Sequence, residues 1–206
     1  MKVSWLGRLP FENALIIQEQ IVARKIADAA TPDELLLLEH EPVYTIGRTP
    51  DRSSLRGATQ LPYPVVQINR GGQATYHGPG QLIGYPILDL RPRGQDLHRH
   101  LRSLEELLIE TLQQFKVLAT RRQGLTGVWV GDRKIGSIGV GVRRWISMHG
   151  FALNVSGELA PFSAITPCGI AGVEMTSVES ETGSAPNVET VAQCVARAAP
   201  THFEVC

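Results

Sequence analysis

VWVGDRKIGSIGVGVRRWISMHGFALNV, from Val128 to Val155, reads as three strands in succession. Val128-Trp129-Val130 is a short run of β-branched and aromatic residues, Gly131-Asp132 is a turn, and Lys134 to Val142 runs back as the second arm of a hairpin. Arg143 to Trp145 turns the chain again, and Ile146 to Val155 returns as a third strand. Strands that follow one another without a helix between them pair antiparallel, so the sheet is mixed or antiparallel. Alternation along the middle strand puts Lys134, Gly136, Ile138 and Val140 on one face.

The elements around this stretch are consistent with that sheet. Leu82 to Leu90 is an apolar strand containing Pro86, which marks an edge or a bulge. Val65 to Asn69 and Val3 to Leu9 are further strands. Leu35 to Leu38 is a buried strand, with Val43 to Gly47 extending the same edge. The preceding Thr31-Pro32-Asp33-Glu34 has the form of a helix capping box, but His40-Glu41-Pro42 leaves room for only a short element. Helical spacing occurs three times: Phe11, Leu15, Gln18, Val22 and Ile26 after Pro10; Leu97 through Leu101, Leu104, Leu108 and Leu112 to Phe115 after a capping Asp96; and a short last helix at Val188, Val191 and Val195. Ser53 to Pro64 and Ser156 to Gly172 are loops. The expected architecture is α+β (mixed α/β), one domain over residues 1–206, with helices flanking the sheet.

The 206 residues are 43% hydrophobic and 19% charged, with 20 basic residues against 20 acidic ones. A net charge of zero leaves no summed field to draw the protein onto nucleic acid or an anionic membrane. Cys168, Cys194 and Cys206 form no CxxC pair and no metal-ligand spacing, which fits a reduced, cytoplasmic setting without a structural metal. The first twenty residues carry no signal-type apolar run, and nothing approaches the length of a membrane span.

Three places carry chemistry. The block Arg70-Gly71-Gly72-Gln73-Ala74-Thr75-Tyr76-His77-Gly78-Pro79-Gly80-Gln81 holds four glycines. Such glycines either let a ligand lie against the main chain or build two plain turns. Cys168 stands between Pro167 and Gly169, a sharp turn that presents sulfur outward, with main-chain N–H groups there and in the glycine block as candidates for an oxyanion site. Its alternative is a small buried hydrophobe, the reading given to Cys194; Cys206 reads as a frayed terminus. A cysteine nucleophile needs a proton acceptor. His40, His77 and His149 are candidates, and so is Lys134, since burial of an amine disfavours its charged form and makes it usable as a base. The alternative for Lys134 is an exposed hairpin lysine.

Taken together, LLLLEHEPVYTIGR (Leu35–Arg48), NRGGQATYHGPGQLIGYPILDL (Asn69–Leu90), GVWVGDRKIGSIGV (Gly127–Val140), SMHGFALNV (Ser147–Val155) and TPCGIAGVEMTSV (Thr166–Val178) resemble the octanoyltransferases of the LipB type, in order and across most of Leu35 to Val178. The resemblance implies a fold like the catalytic domain of biotin and lipoate protein ligases. It implies Cys168 as acyl-carrying nucleophile and Lys134 as proton shuttle, with acyl-pocket positions at Arg70 to His77, at Ser137-Ile138-Gly139 and at Gly150-Phe151-Ala152. It implies octanoyl-acyl carrier protein as donor, and as acceptors the lipoyl domains of 2-oxoacid dehydrogenase E2 subunits and the glycine cleavage H protein, with no cofactor. Phe151, Ile138 and Ile170 are expected to line the acyl tunnel, and Arg48, Arg70, Arg143 and Arg144 to meet the acidic carrier. The runner-up is an ATP-dependent lipoate or biotin protein ligase. Different classes again are a non-catalytic acyl-binding module and a Cys–His hydrolase using His77 or His149.

Overall fold

A computed structural model of the chain describes residues 1–49, 51–56 and 61–204. In chain order the elements are β1 Lys2–Leu9, α1 Phe11–Ala27, β2 Glu34–His40, β3 Val43–Ile46, β4 Val65–Gln67, β5 Thr75–His77, β6 Gln81–Ile87, α2 Leu97–Gln114, β7 Thr120–Arg122, β8 Leu125–Val130, β9 Arg133–Arg143, β10 Ile146–Asn154, β11 Glu174–Met175, α3 Val178–Thr182 and α4 Val188–Phe203. The principal sheet runs β1-β2-β6-β10-β9-β8-β7. β1 is parallel to β2, and the remaining neighbours on this path are antiparallel. Where β10 stops, β11 takes its place beside β9 and pairs Met175 with Lys134 in parallel. A small second sheet has the order β4-β3-β5. This is the mixed α/β architecture expected from the consecutive strands.

The core explains why four leucines in a row form a strand. Leu35 and Leu37 point into the layer that holds α2 and α4, while Leu36 and Leu38 point to the opposite face against α1. A strand covered on both faces has no solvent side and so no polar alternate. α2 starts where expected, with the Asp96 carboxylate accepting the Arg99 N–H at 3.0 Å. Cys194 is buried on α4, in keeping with its reading as a small hydrophobe. None of the helices among the described residues is long and apolar enough to cross a membrane.

Several expectations are corrected. Val43 to Gly47 does not extend the β2 edge. The Glu41 N–H closes that ladder on Leu9 O at 3.3 Å, and Pro42 has no N–H to carry it further. The chain then crosses to the second sheet, where β3 pairs with β4 and β5. β6 is a central strand, although Pro86 suggested an edge or a bulge. The ladder to β10 lapses where Pro86 faces His149, which has φ 59°, and resumes with the Ser147 N–H on Leu88 O at 2.9 Å. The Leu88 N–H is met by the Ser147 hydroxyl at 2.9 Å, so the irregularity leaves no donor stranded there. The last helix is 16 residues rather than short, and α3 was not anticipated. Cys206 lies outside the described residues.

The correction with the largest consequence concerns β9. Opposite β8 the register slips: Val128 pairs with Gly136 but Trp129 pairs with Lys134. Ile135 is an extra residue, a β-bulge. Beyond it, Gly136, Ile138 and Val140 face the α2 layer, and a Cβ on Gly136 would meet Leu108 and Val128. Lys134 therefore shares its face with Ser137 and Gly139 rather than with Gly136, Ile138 and Val140.

Leu37 is fully enclosed between the sheet and its helices. Leu37→Ala should destabilise the protein by about 3 kcal/mol, the usual cost of a core cavity, as measured by urea unfolding.

Candidate active site

The bulge delivers Lys134 to a place of close contacts. Its Nζ donates to Thr126 O at 3.0 Å and to Cys168 Sγ at 3.3 Å, and it stands 5.2 Å from the centre of the Trp129 ring. The side chain is 1% exposed, and no carboxylate lies within ion-pair distance of it among the described residues. Gly127 makes room for it. At φ 125° an L side chain is strained, and an added Cβ would lie 2.7 Å from Lys134 Cε.

Cys168 is held from two directions. It sits in the 3-10 turn Pro167–Gly169 at φ 55°, a left-handed conformation that costs a non-glycine residue roughly 1–2 kcal/mol. The turn is fastened to the glycine block by the Cys168 N–H on Ala74 O at 2.8 Å, and to the loop before it by the Thr166 N–H on Ser54 O at 2.7 Å. Downstream, β11 and the Thr176 N–H on Lys134 O at 2.9 Å tie the same loop to the strand of its partner. The other group near the sulfur is the Ser137 hydroxyl, 3.9 Å away.

A narrow pocket, with a cavity volume of about 40 Å³, opens beside the sulfur. Of the expected positions, Arg70, Thr75, His77, Ser137, Ile138, Gly139, Gly150, Phe151 and Ala152 line it together with Cys168. The rest of the glycine block serves as its frame. Gly71 N–H is bonded to Val140 O at 3.0 Å, Gln73 donates to Asp51 at 2.9 Å, Ala74 holds Cys168, and Tyr76 packs among Tyr44, Tyr63 and Phe162. Gly72, at φ 85°, brings its carbonyl so close to Gly47 that a Cβ there would stand 2.1 Å from the oxygen. Ile170 is half-buried and does not line the pocket, which corrects that expectation.

Phe11, Ile68 and Tyr85 also line it and were not singled out in the sequence. Their periodicity assigns them to the core, and no local signal separates a pocket wall from a core wall. The ring of Phe151 fits because Gly84, on the neighbouring strand, has no side chain: a Cβ there would sit 2.1 Å from Phe151 Cζ. The N–H groups of Cys168, Gly169, Ile170 and Gly71 are all committed to carbonyls, so they are not the free oxyanion donors expected from the turn.

The charges are arranged unusually. Arg70 is 6% exposed and donates to Thr45 O, Thr45 Oγ1 and Gly71 O at 3.0, 2.9 and 2.9 Å, with no carboxylate partner among the described residues. Burial lowers its pKa, and the Cys168 sulfur opposes that shift. His77 is held well below its ordinary value by burial, reinforced by His40 and Arg70. Burial and then Arg70 lower His149 to about 4, and burial lowers His40 to about 4. His77 bonds to Thr45 Oγ1 and Gln81 Oε1 at 3.4 and 3.3 Å, whereas the sulfur's bonded partners are Lys134 and Ser137.

The model of the lipoyl protein ligase A/B catalytic domain matches residues 11–199. An octanoyltransferase of Geobacter metallireducens is 55% identical over 183 residues, 89% of this chain and 84% of that one. Among solved structures, a bi-partite lipoate protein ligase of Thermoplasma acidophilum, described with its E2 lipoyl domain, superposes with a TM-score of 0.72 at 17% identity over 98% of this chain and 83% of that one. A biotin protein ligase of Aquifex aeolicus in complex with biotin and ATP gives 0.57 at 13% identity over 98% and 69%. At such identities these two likenesses concern the fold.

His40, His100 and His149 each have a folded pKa of about 4 against 6.5 for the free side chain. Between these values the unfolded chain binds more protons, so stability is full above about 6.5 and is lost as the pH falls toward 4. Each histidine contributes about 1.4 kcal/mol per pH unit to that slope. Urea unfolding followed between pH 7 and pH 4 should show this loss, and His149→Gln should reduce the slope by one histidine's share.

Proposed function

The chain belongs to the octanoyltransferases of the lipoyl protein ligase A/B catalytic-domain family, and from that premise we propose that it carries an octanoyl group from acyl carrier protein to a lysine of a lipoyl domain as a thioester on Cys168. The observation that carries this reading is the 3.3 Å contact between Lys134 Nζ and Cys168 Sγ at the edge of a largely apolar pocket. A single catalytic domain holds every group the reaction uses.

Lys134 takes the thiol proton, and the thiolate attacks the carbonyl carbon of the octanoyl thioester. As the tetrahedral intermediate collapses, the bond from carbon to the pantetheine sulfur breaks, and the Lys134 ammonium returns its proton to that sulfur. One thioester replaces another, so no phosphate activation is required. In the second half the neutral amine of the acceptor lysine attacks acyl-Cys168. Lys134 receives the amine proton and passes it to the departing Cys168 thiolate. The product amide is more stable than the thioester, which drives the exchange forward.

With the main-chain donors at the turn already committed, the Ser137 hydroxyl and the Arg70 guanidinium are the groups placed to meet the developing oxyanion. The octanoyl tail lies in the pocket against Phe11, Ile68 and Ala152, with the strand segments of Ile138 and Phe151 beside it, and each buried methylene contributes about 0.8 kcal/mol. Lipoyl domains of 2-oxoacid dehydrogenase E2 subunits and the glycine cleavage H protein are the acceptors. Arg48, Arg143 and Arg144 are exposed and suited to an acidic carrier, whereas Arg70 is buried and does not serve as a docking residue. The ATP-dependent ligase reading has the fold likeness and the shared catalytic-domain family behind it, but it offers no use for the paired sulfur and amine.

Incubated with octanoyl-acyl carrier protein and no ATP, the protein should gain one octanoyl group by intact mass, removed by hydroxylamine and absent in Cys168→Ala. Lys134→Ala should form the adduct about 10²–10⁴-fold more slowly, the usual worth of a positioned acid–base group. Wild-type transfer by Cys168→Ala would rule the mechanism out.

A further inference from the structure

Among the described residues Lys134 has no carboxylate within ion-pair distance, yet a carboxylate stands one peptide behind it. Glu105 lies on the sheet side of α2 and is fully buried. Its Oε1 accepts the Gly127 N–H at 3.0 Å, and its Oε2 takes Arg102 Nη1 at 2.5 Å and Arg121 Nε at 3.1 Å. The carbonyl of that same peptide unit, Thr126 O, is the one that accepts Lys134 Nζ at 3.0 Å. The amide between Thr126 and Gly127 is planar and trans, so fixing the direction of its N–H fixes the opposite direction of its C=O.

That peptide needs fixing. Gly127 sits at φ 125°, a region that glycine alone enters freely, and it lies beyond the last register pair between β8 and β9. If the peptide flipped, it would present an N–H to the lysine amine in place of a carbonyl, and Nζ would lose one of its two hydrogen-bond partners. Glu105 opposes the flip by holding the N–H on the far side. A charged acceptor on the N–H also strengthens the bond made by the carbonyl, because linked hydrogen bonds polarise one another. The two arginines compensate the buried carboxylate and hold it in place.

We propose that Glu105 is a positioning residue for the reaction: through the Thr126–Gly127 peptide it holds the carbonyl that aims Lys134 Nζ at Cys168 Sγ. This rests on the reading of Lys134 as proton shuttle. Its action is indirect, since Glu105 meets neither the sulfur nor the acyl group.

The test follows octanoyl transfer from octanoyl-acyl carrier protein in four variants. Glu105→Ala removes the acceptor and should lower kcat about tenfold with KM for the donor unchanged, a loss of the size seen when a metal ligand loses the outer partner that orients it. Glu105→Gln keeps an oxygen for the Gly127 N–H and should restore most of that loss. In a Lys134→Ala background, Glu105→Ala should cause no further loss, because the group it positions is gone. Wild-type kcat in folded Glu105→Ala, or an equal tenfold loss with and without Lys134, would overturn the proposal. Should Glu105→Ala not fold, Glu105→Asp retains the charge beside both arginines but falls short of Gly127, and the same loss is expected of it. Full activity in Lys134→Ala alone would instead bring down the shuttle reading itself, before Glu105 is in question.

Discussion

One extra residue in a strand governs the site. Were Ile135 paired in regular register, strict alternation along β9 would turn Lys134 into the α2 layer beside Gly136 and Ile138, far from the sulfur. Bulged out, Ile135 lets the strand keep the apolar residues of its later half in the core and send the lysine stem to the opposite face. The other placements follow from that choice. Gly127 clears the space that the stem fills, Trp129 covers it, and Gly139, lacking a side chain, lets Arg70 pack against the strand. A buried lysine is costly, and the bulge is the means by which the fold confines that cost to a single face.

The site carries one fixed positive charge of its own besides whatever the dyad bears. Arg70 is buried without a carboxylate partner among the described residues, and its presence helps keep His77 and His149 uncharged. Thr75 Oγ1 and both ring nitrogens of His149 make no hydrogen bond among the described residues, so the pocket holds polar atoms that these residues do not tie down. A cavity with a settled cation and neutral histidines is electrostatically prepared for a substrate that enters neutral and develops negative charge at one oxygen, and little has to reorganise as that charge appears.

Much of this was legible from the residues. The hairpin at Gly131-Asp132, the strand turned at Arg143 to Trp145, the doubly buried Leu35–Leu38 and the capped helix after Asp96 were each marked by local chemistry that acts over a few residues. What escaped was set by contacts made elsewhere. The bulge at Ile135 shows only in how β9 is registered against β8, and nothing in KIGSIG announces it. The transfer of β3 to a second sheet depends on where β4 and β5 lie, and the place of Pro86 in a central strand depends on Ser147 supplying a hydroxyl to the interrupted ladder. The same holds at the site. Cys168 and Lys134 were readable through motif, but Phe11 and Tyr85 look like any other core aromatic, and Glu105 like any helix glutamate, until the sheet is assembled.

The loop bearing Cys168 is pinned at Ala74 on one side and at the backbone of Lys134 on the other. An acyl group attached to that sulfur can swing about the cysteine side chain, but the main chain beneath it has little freedom to travel. In the proposed reaction, then, no arm ferries the acyl group between two stations. Donor and acceptor have to visit one and the same mouth in turn, and the first protein must leave before the second can approach. Separation of the two half-reactions in time is thus a matter of tethering: the enzyme keeps its cargo still and lets the much larger partners do the moving.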